Sequence, residues 1–145
     1  MLSFEKLNHG WNAQPNAPVP ITRVLGSDVV VEFVLNHQAF HAFNEEEKGF
    51  LRFIEVTKYR LGATNDEGWF RGQCRYSKHA PAWGEFYEIT GADEFVDLPN
   101  DWKFVNATGT ASRHFLFYFR DETFEAICAS WRFEPLQENA LLRRT

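Results

Sequence analysis

The chain has 145 residues and a formal net charge of −5. At this length we expect one domain over residues 1–145. The acidic balance argues against non-specific nucleic-acid binding, which depends on lysine and arginine contacts with phosphate. With no secretory signal and no apolar run long enough to cross a membrane, we expect a cytoplasmic protein that acts away from the membrane.

Aromatic residues make up 17% of the chain, and aromatic side chains favour the half-buried surface of a pleated sheet. Short runs of alternating apolar and polar residues recur without long amphipathic helices between them. This pattern predicts an all-β fold: an antiparallel sandwich or partly open barrel of about six to eight strands.

The first 27 residues are predicted to form an irregular N-terminal segment packed on this domain. The run NAQPNAPVP places three of the six prolines within residues 12–20, and proline removes backbone donors. The first predicted strand, 28–36, carries apolar residues on both faces and should be largely buried. Residues 37–49 could form one or two helical turns.

The remaining strands follow one another along the chain. They are predicted at 50–62, 69–77, 85–90, 113–119 and 123–133. The run FLFYF, residues 115–119, is apolar on both faces and predicts a central strand. Pro135 ends the last strand, and the residues after it could form a short C-terminal helix.

Residue types capable of chemistry occur in patterns that favour structural roles. Cys74 and Cys128 lie in apolar or alternating runs and are predicted to be reduced core thiols rather than a disulfide or a reactive site. His37 and His41 have the i, i+4 spacing of a metal-binding pair, but Gln38 occupies the position of the glutamate in the zinc-protease motif. We therefore assign no metal.

Paired carboxylates offer a second kind of chemistry, general acid–base catalysis. Asp66 and Glu67 lie in a predicted turn, while Glu85 and Glu88 fall on opposite faces of one strand. This spacing gives no reason for their pKa values to differ, as acid–base catalysis would require. We assign no catalytic residue and no cofactor.

The stretch 69–77 offers a better candidate, because it alternates a dry face with a polar face. Phe70, Cys74 and Tyr76 share the dry face, and a tryptophan from the following loop, Trp83, adds to the polar one. Tryptophan and arginine are the residue types that most often dominate interface energies. The predicted binding residues are Trp69, Arg71, Gln73, Arg75 and Trp83.

The leading hypothesis is a non-enzymatic intracellular binding protein, an adaptor-like or immunity-like module with a protein partner. A β domain that binds a small molecule or a carbohydrate is the alternative, and an enzyme with a His/Glu site at one barrel end is a weaker one. A flat or grooved exposed patch would favour the protein partner. A pocket with convergent polar groups would favour the ligand.

Overall fold

The structure, a computed structural model, describes residues 2–63, 82, 84–91, 101–119 and 122–135. Ten strands and no helix occur among these residues. The strands are β1 (Ser3–Lys6), β2 (Ile21–Leu25), β3 (Asp28–Val34), β4 (Lys48–Ile54), β5 (Lys58–Ala63), β6 (Phe86–Thr90), β7 (Lys103–Phe104), β8 (Arg113–Tyr118), β9 (Glu122–Cys128) and β10 (Ser130–Pro135). No segment in this part of the chain forms a helix long and apolar enough to span a membrane.

The strands form two antiparallel sheets. One has six strands in the order β1-β6-β8-β9-β5-β7, and the other has four in the order β10-β4-β3-β2. The predicted antiparallel all-β fold is confirmed as a sandwich-like arrangement, and the described strands do not close into a barrel. The strand count exceeds the predicted six to eight.

An aromatic core lies between the two sheets. Phe33 of the four-stranded sheet meets Phe117 of the six-stranded sheet edge to face, with ring centroids 5.1 Å apart. Phe53 and Phe124 make a second contact between the sheets, with tilted rings and centroids 5.0 Å apart. All four side chains are fully buried. Because successive side chains of a strand alternate between faces, every second residue of each central strand enters this core.

Strand β8 is central, as predicted. It lies between β6 and β9, and Phe115, Leu116, Phe117 and Tyr118 are all buried. Leu116 and Tyr118 belong to a second apolar cluster, on the face of the sheet turned away from the main core. A strand buried on both faces shows the continuous apolar run seen in the sequence.

Two predicted strands are each divided between the sheets. Residues 50–62 form the end of β4 and most of β5, separated at Glu55, where φ is +54°. Residues 123–133 similarly divide into β9 and β10 at Ala129, whose N–H donates to the carbonyl of Ile54 at 2.9 Å. Apolar residues continue on both sides of each break because both sheets bury residues in the same core.

The N-terminal segment differs from the irregular coil predicted for residues 1–27, because β1 and β2 lie within it. The proline-rich stretch between them forms one isolated bridge, Ala13 to Leu35. Trp11 packs this segment against β10 by stacking on Phe133, with ring centroids 3.9 Å apart. Residues 37–47 form turns without a helix. The predicted strand 69–77 and the predicted C-terminal helix lie outside the described residues.

Candidate interaction surface

The binding residues predicted from the sequence cannot be placed. Trp69, Arg71, Gln73, Arg75 and Trp83 all lie outside the described residues, as does Cys74. Within the described part of the chain, exposed apolar side chains concentrate on a different strand.

Strand β2 carries most of the exposed apolar surface in the described residues. Five large hydrophobic side chains are exposed among the described residues, and four of them fall within residues 19–25, on β2 or just before it. They are Val19 (58% exposed), Ile21 (39%), Val24 (49%) and Leu25 (46%), and the fifth, Phe104 on β7, is 63% exposed. Single exposed hydrophobic residues are ordinary. Here they are concentrated on one short segment, with Ile21 and Leu25 on one face of the sheet and Val24 on the other, and such a concentration favours an interaction site.

The hairpin that joins β2 to β3 explains why this strand forms. Gly26, with φ of +63°, and Ser27 connect Leu25 to Asp28. Glycine at the first position of a two-residue loop suits the turn types whose twist matches that of the flanking strands. β-Branched residues then favour the extended conformation of β2.

Strand β2 ends the four-stranded sheet as the described residues show it, pairing there with β3 alone. Leu25 and Asp28 flank the two-residue turn, so their backbone groups face each other. By alternation, the N–H and C=O groups of Thr22 and Val24 point away from β3. An added strand would use these groups.

A cavity of about 380 Å³ opens on the face of the four-stranded sheet turned away from the core. Its floor is apolar, because Val30 and Phe50 point outward there and are largely buried. The register places Arg23, Val30 and Arg52 in one row across the strands. Seven residues line the cavity: Ile21, Arg23, Leu25, Val30, Glu32, Phe50 and Arg52.

The charged side chains around this cavity differ in the number and length of their ion-pair contacts. Glu32 accepts a hydrogen bond from Lys48 Nζ at 3.0 Å, while Arg23 Nη2 lies 3.6 Å from the other carboxylate oxygen. Arg52 is fixed by Asp28, with both Nε and Nη2 at 2.8 Å from Oδ2. The side chain of Arg23 is 60% exposed, and among the described residues its ion pair is the long contact with Glu32. Arg23 is therefore the loosely held cation of this surface.

A second cavity, of about 450 Å³, begins at the next row of the same face, Val34 and Lys48. Val19 and Glu46 also line it, and both adopt positive φ, +47° and +64°. A β-branched residue in this conformation is uncommon and strained. His37 lines the cavity too, and its buried Nδ1 has no hydrogen-bond partner in the part of the chain that the structure describes.

The metal site considered for His37 and His41 gains no support. His41 Nε2 lies 3.1 Å from the carbonyl of Gln38. Among the described residues, no group of three or more histidine, cysteine or acidic side chains could hold a metal ion.

A buried ionic network lies on the outward face of the six-stranded sheet. Arg60 donates to Glu125 at 2.7 Å and to both oxygens of Asp101, at 2.6 and 3.1 Å. The remaining oxygen of Glu125 lies 2.8 Å from His114 Nε2. Burial lowers the pKa of Arg60, but the bonds to Asp101 and Glu125 outweigh it and raise the pKa overall. The network neutralises its buried charges and ties β5, β8 and β9 together.

One residue of the sequence indicates this network, although no prediction above used it. Glu125 stands in the apolar run of β9, between Phe124 and Ala126. A charge within such a run is almost never fully buried without a partner.

The other chemical candidates have structural roles. Cys128 is free and buried, and burial raises the pKa of its thiol to about 12, which makes it a poor nucleophile. Glu88 receives two hydrogen bonds of 2.8 Å from Arg113, which lower the pKa of the carboxyl group. Glu85 accepts hydrogen bonds from Asn8 and Asn12. Asp66 and Glu67 lie outside the described residues.

Comparison of the chain with protein-family models, with curated proteins and with solved structures finds no match. The fold and the surface together define a β-sandwich with an apolar edge strand.

Proposed function

We propose that this protein is a non-enzymatic protein-binding module that binds an extended segment of its partner by strand addition at β2. The observation that carries the proposal is the exposed apolar group on the outermost strand of the four-stranded sheet. Backbone hydrogen bonds to Thr22 and Val24 would provide affinity, and side chains of the added strand would provide specificity.

Edge strands in monomeric proteins are usually protected by charges, proline or a cover, because they are templates for pairing. Pro18 and Pro20 precede β2, but within the strand Arg23 is the single charged residue. Covering Ile21, Val24 and Leu25 would remove apolar surface from water. Full burial of a side chain of this size contributes about 1.5–3 kcal/mol.

The position of Val24 favours a protein partner over a small molecule. Ile21 and Leu25 line the cavity on the outward face, whereas Val24 pairs with the core residue Val29 and lies on the opposite face. A small molecule in the cavity would leave Val24 exposed. An added strand covers both faces of β2 at once.

Site-specific photocrosslinking tests this proposal. A photoreactive phenylalanine analogue is placed at Val24 in one variant and at Phe104 in a matched control, since both sites are exposed and apolar. In the native host, irradiation should join position 24, but not position 104, to a defined segment of a partner. Thr22→Pro, which removes an outward-pointing N–H, should abolish the product. Identical products from both sites, or products indifferent to Thr22→Pro, would count against strand addition.

Two further expectations belong to this proposal. A cytoplasmic location is supported by the free thiol of Cys128, since reducing compartments keep thiols unpaired. The contact surface predicted from the sequence around Arg71 and Arg75 lies outside the described residues and stays a prediction. Charge reversal at both positions is expected to weaken partner capture about tenfold or more, on the order of 1.4 kcal/mol.

A further inference from the structure

We propose that the strand added at β2 carries an acidic residue opposite Arg23, with an apolar residue two positions away on each side. This inference rests on the proposed function and specifies the chemistry of the partner. It makes Arg23 the residue that determines specificity at this edge.

The spacing of β2 sets the apolar positions. Ile21, Arg23 and Leu25 share the outward face, and residues two apart on a strand are separated by roughly 6.5–7 Å. A residue opposite Ile21 or Leu25 would contact an exposed apolar side chain beside the cavity. The residue between those two positions would meet Arg23. The pattern is apolar-x-acidic-x-apolar and reads the same in either strand direction.

The acidic residue at the central position of this pattern is inferred from the contacts of Arg23. Its guanidinium lies 3.6 Å from a carboxylate that Lys48 already binds at 3.0 Å. Strand addition would reduce the hydration of Arg23, and a guanidinium that loses water without gaining an acceptor is costly. A carboxylate opposite it would supply a charge-assisted, bidentate partner. A lysine or arginine there would add a like-charge contact instead.

The same residue argues against a second copy of this chain as the occupant. Full antiparallel overlap of Ile21–Leu25 with its own copy pairs Ile21 with Leu25, Thr22 with Val24, and Arg23 with Arg23. The apolar positions match, but two guanidinium groups would stand directly opposite each other, which destabilises a strand pair. Arg23 therefore favours a different protein that carries a carboxylate.

Selection from a displayed library of random dodecapeptides, using the immobilised full-length chain, tests the inference. The wild-type chain should enrich the apolar-x-acidic-x-apolar pattern, and Arg23→Glu should switch the central preference to lysine or arginine. Arg23→Gln should lose the charge preference while retaining the apolar one. Arg132→Glu is the matched control. Arg132 is exposed and lies on the same face of the sheet as Arg23, but on β10, at the opposite edge. It should select as the wild type does.

Synthetic peptides with glutamate, glutamine or lysine at the centre then measure the effect. We expect the glutamate peptide to bind the wild-type chain at least tenfold more tightly than the lysine peptide, with the order reversed for Arg23→Glu. Urea denaturation verifies that each variant is folded. Val24→Lys serves as a second edge variant if Thr22→Pro does not fold.

The outcomes separate the two proposals. Apolar enrichment without a charge preference, or a preference that Arg23→Glu leaves unchanged, overturns the inference but leaves strand addition standing. Binding that persists in both Thr22→Pro and Val24→Lys, or no enrichment at all, overturns the proposed function together with the inference. A dimer of the wild-type chain that Val24→Lys dissociates, observed by light scattering, would identify a second copy as the occupant and overturn the inference.

Discussion

Arg60 and Glu125 lie directly opposite each other on β5 and β9, with Nη1 2.7 Å from Oε2 and the carboxylate fully buried. His114 contacts the other carboxylate oxygen, and Asp101 binds the rest of the guanidinium. Each buried charge of the pair is therefore compensated by the other, which makes the two residues energetically dependent on each other.

Removal of one partner of this pair should be strongly destabilising. Glu125→Leu removes the acceptor of Arg60 Nη1 and of His114 Nε2, although Asp101 still binds the guanidinium. It should therefore cost about 3 kcal/mol of unfolding free energy, the lower end of the loss expected when a buried ion pair is broken. The double variant Arg60→Met/Glu125→Leu removes both charges and should recover a large part of that loss. Urea denaturation measures all three proteins.

Arg132→Leu provides the surface control for this experiment. Arg132 pairs with Glu134 at 2.8 Å, with both side chains substantially exposed. Such pairs contribute roughly 0–1 kcal/mol. A double variant no more stable than Glu125→Leu would show that the two charges are not coupled.

Phe117 of β8 should be among the most costly side chains to truncate. It is fully buried, stacks on Phe119 at 4.2 Å and meets Phe33 across the sheets. We expect Phe117→Ala to lower the unfolding free energy by about 3–5 kcal/mol. Phe104→Ala, at an exposed position, should change it by no more than about 0.5 kcal/mol. Similar costs for the two variants would mean that β8 is not central.

The Glu88–Arg113 pair should make stability depend on acid pH. The bonds from Arg113 lower the pKa of Glu88 in the folded chain below its ordinary value of 4.5. The unfolded chain then binds the proton more tightly, so the pair stabilises the fold above about pH 4.5 and loses its effect as pH falls through the lower, folded pKa. Glu88→Gln should therefore be less stable than the wild type at pH 7, and the gap should narrow at pH 3. A constant gap in urea midpoints at both pH values would contradict this assignment.

The thiol of Cys128 should react slowly in the folded protein. Its pKa of about 12 leaves on the order of one thiolate in ten thousand at pH 8, and the side chain is fully buried. In a Cys74→Ser background, a maleimide should label the native chain far more slowly than the chain in guanidinium chloride. Equal labelling rates would show that Cys128 is accessible.

The periodicity of the sequence was sufficient for the fold class and for parts of the core. Apolar residues on both faces identified residues 28–36 as a largely buried strand, and the run 115–119 indicated a strand covered on both faces. These predictions depend only on local geometry, because side chains of a strand alternate between faces whatever the strand order is. The burial of Cys128 followed from the same pattern.

Sheet membership was decided by the tertiary structure. The apolar pattern is the same on either side of Glu55, because β4 and β5 contribute to one core from opposite sheets. No local property of the sequence marks the crossing. The ionic network has the same origin, since Arg60 and Glu125 are 65 residues apart in sequence and meet only through strand order.

The sequence by itself also did not predict the candidate surface on β2. The residues ITRVL of β2 have the composition of a core strand, yet three of their four non-arginine side chains, Ile21, Val24 and Leu25, are exposed. Exposure of a strand depends on how many neighbours it has, and strand order is a property of long-range pairing. The sequence pattern predicted an irregular segment here, whereas the tertiary structure pairs Ile21–Leu25 with β3 and leaves this strand at the end of a sheet, because the described residues supply a neighbour on one side alone.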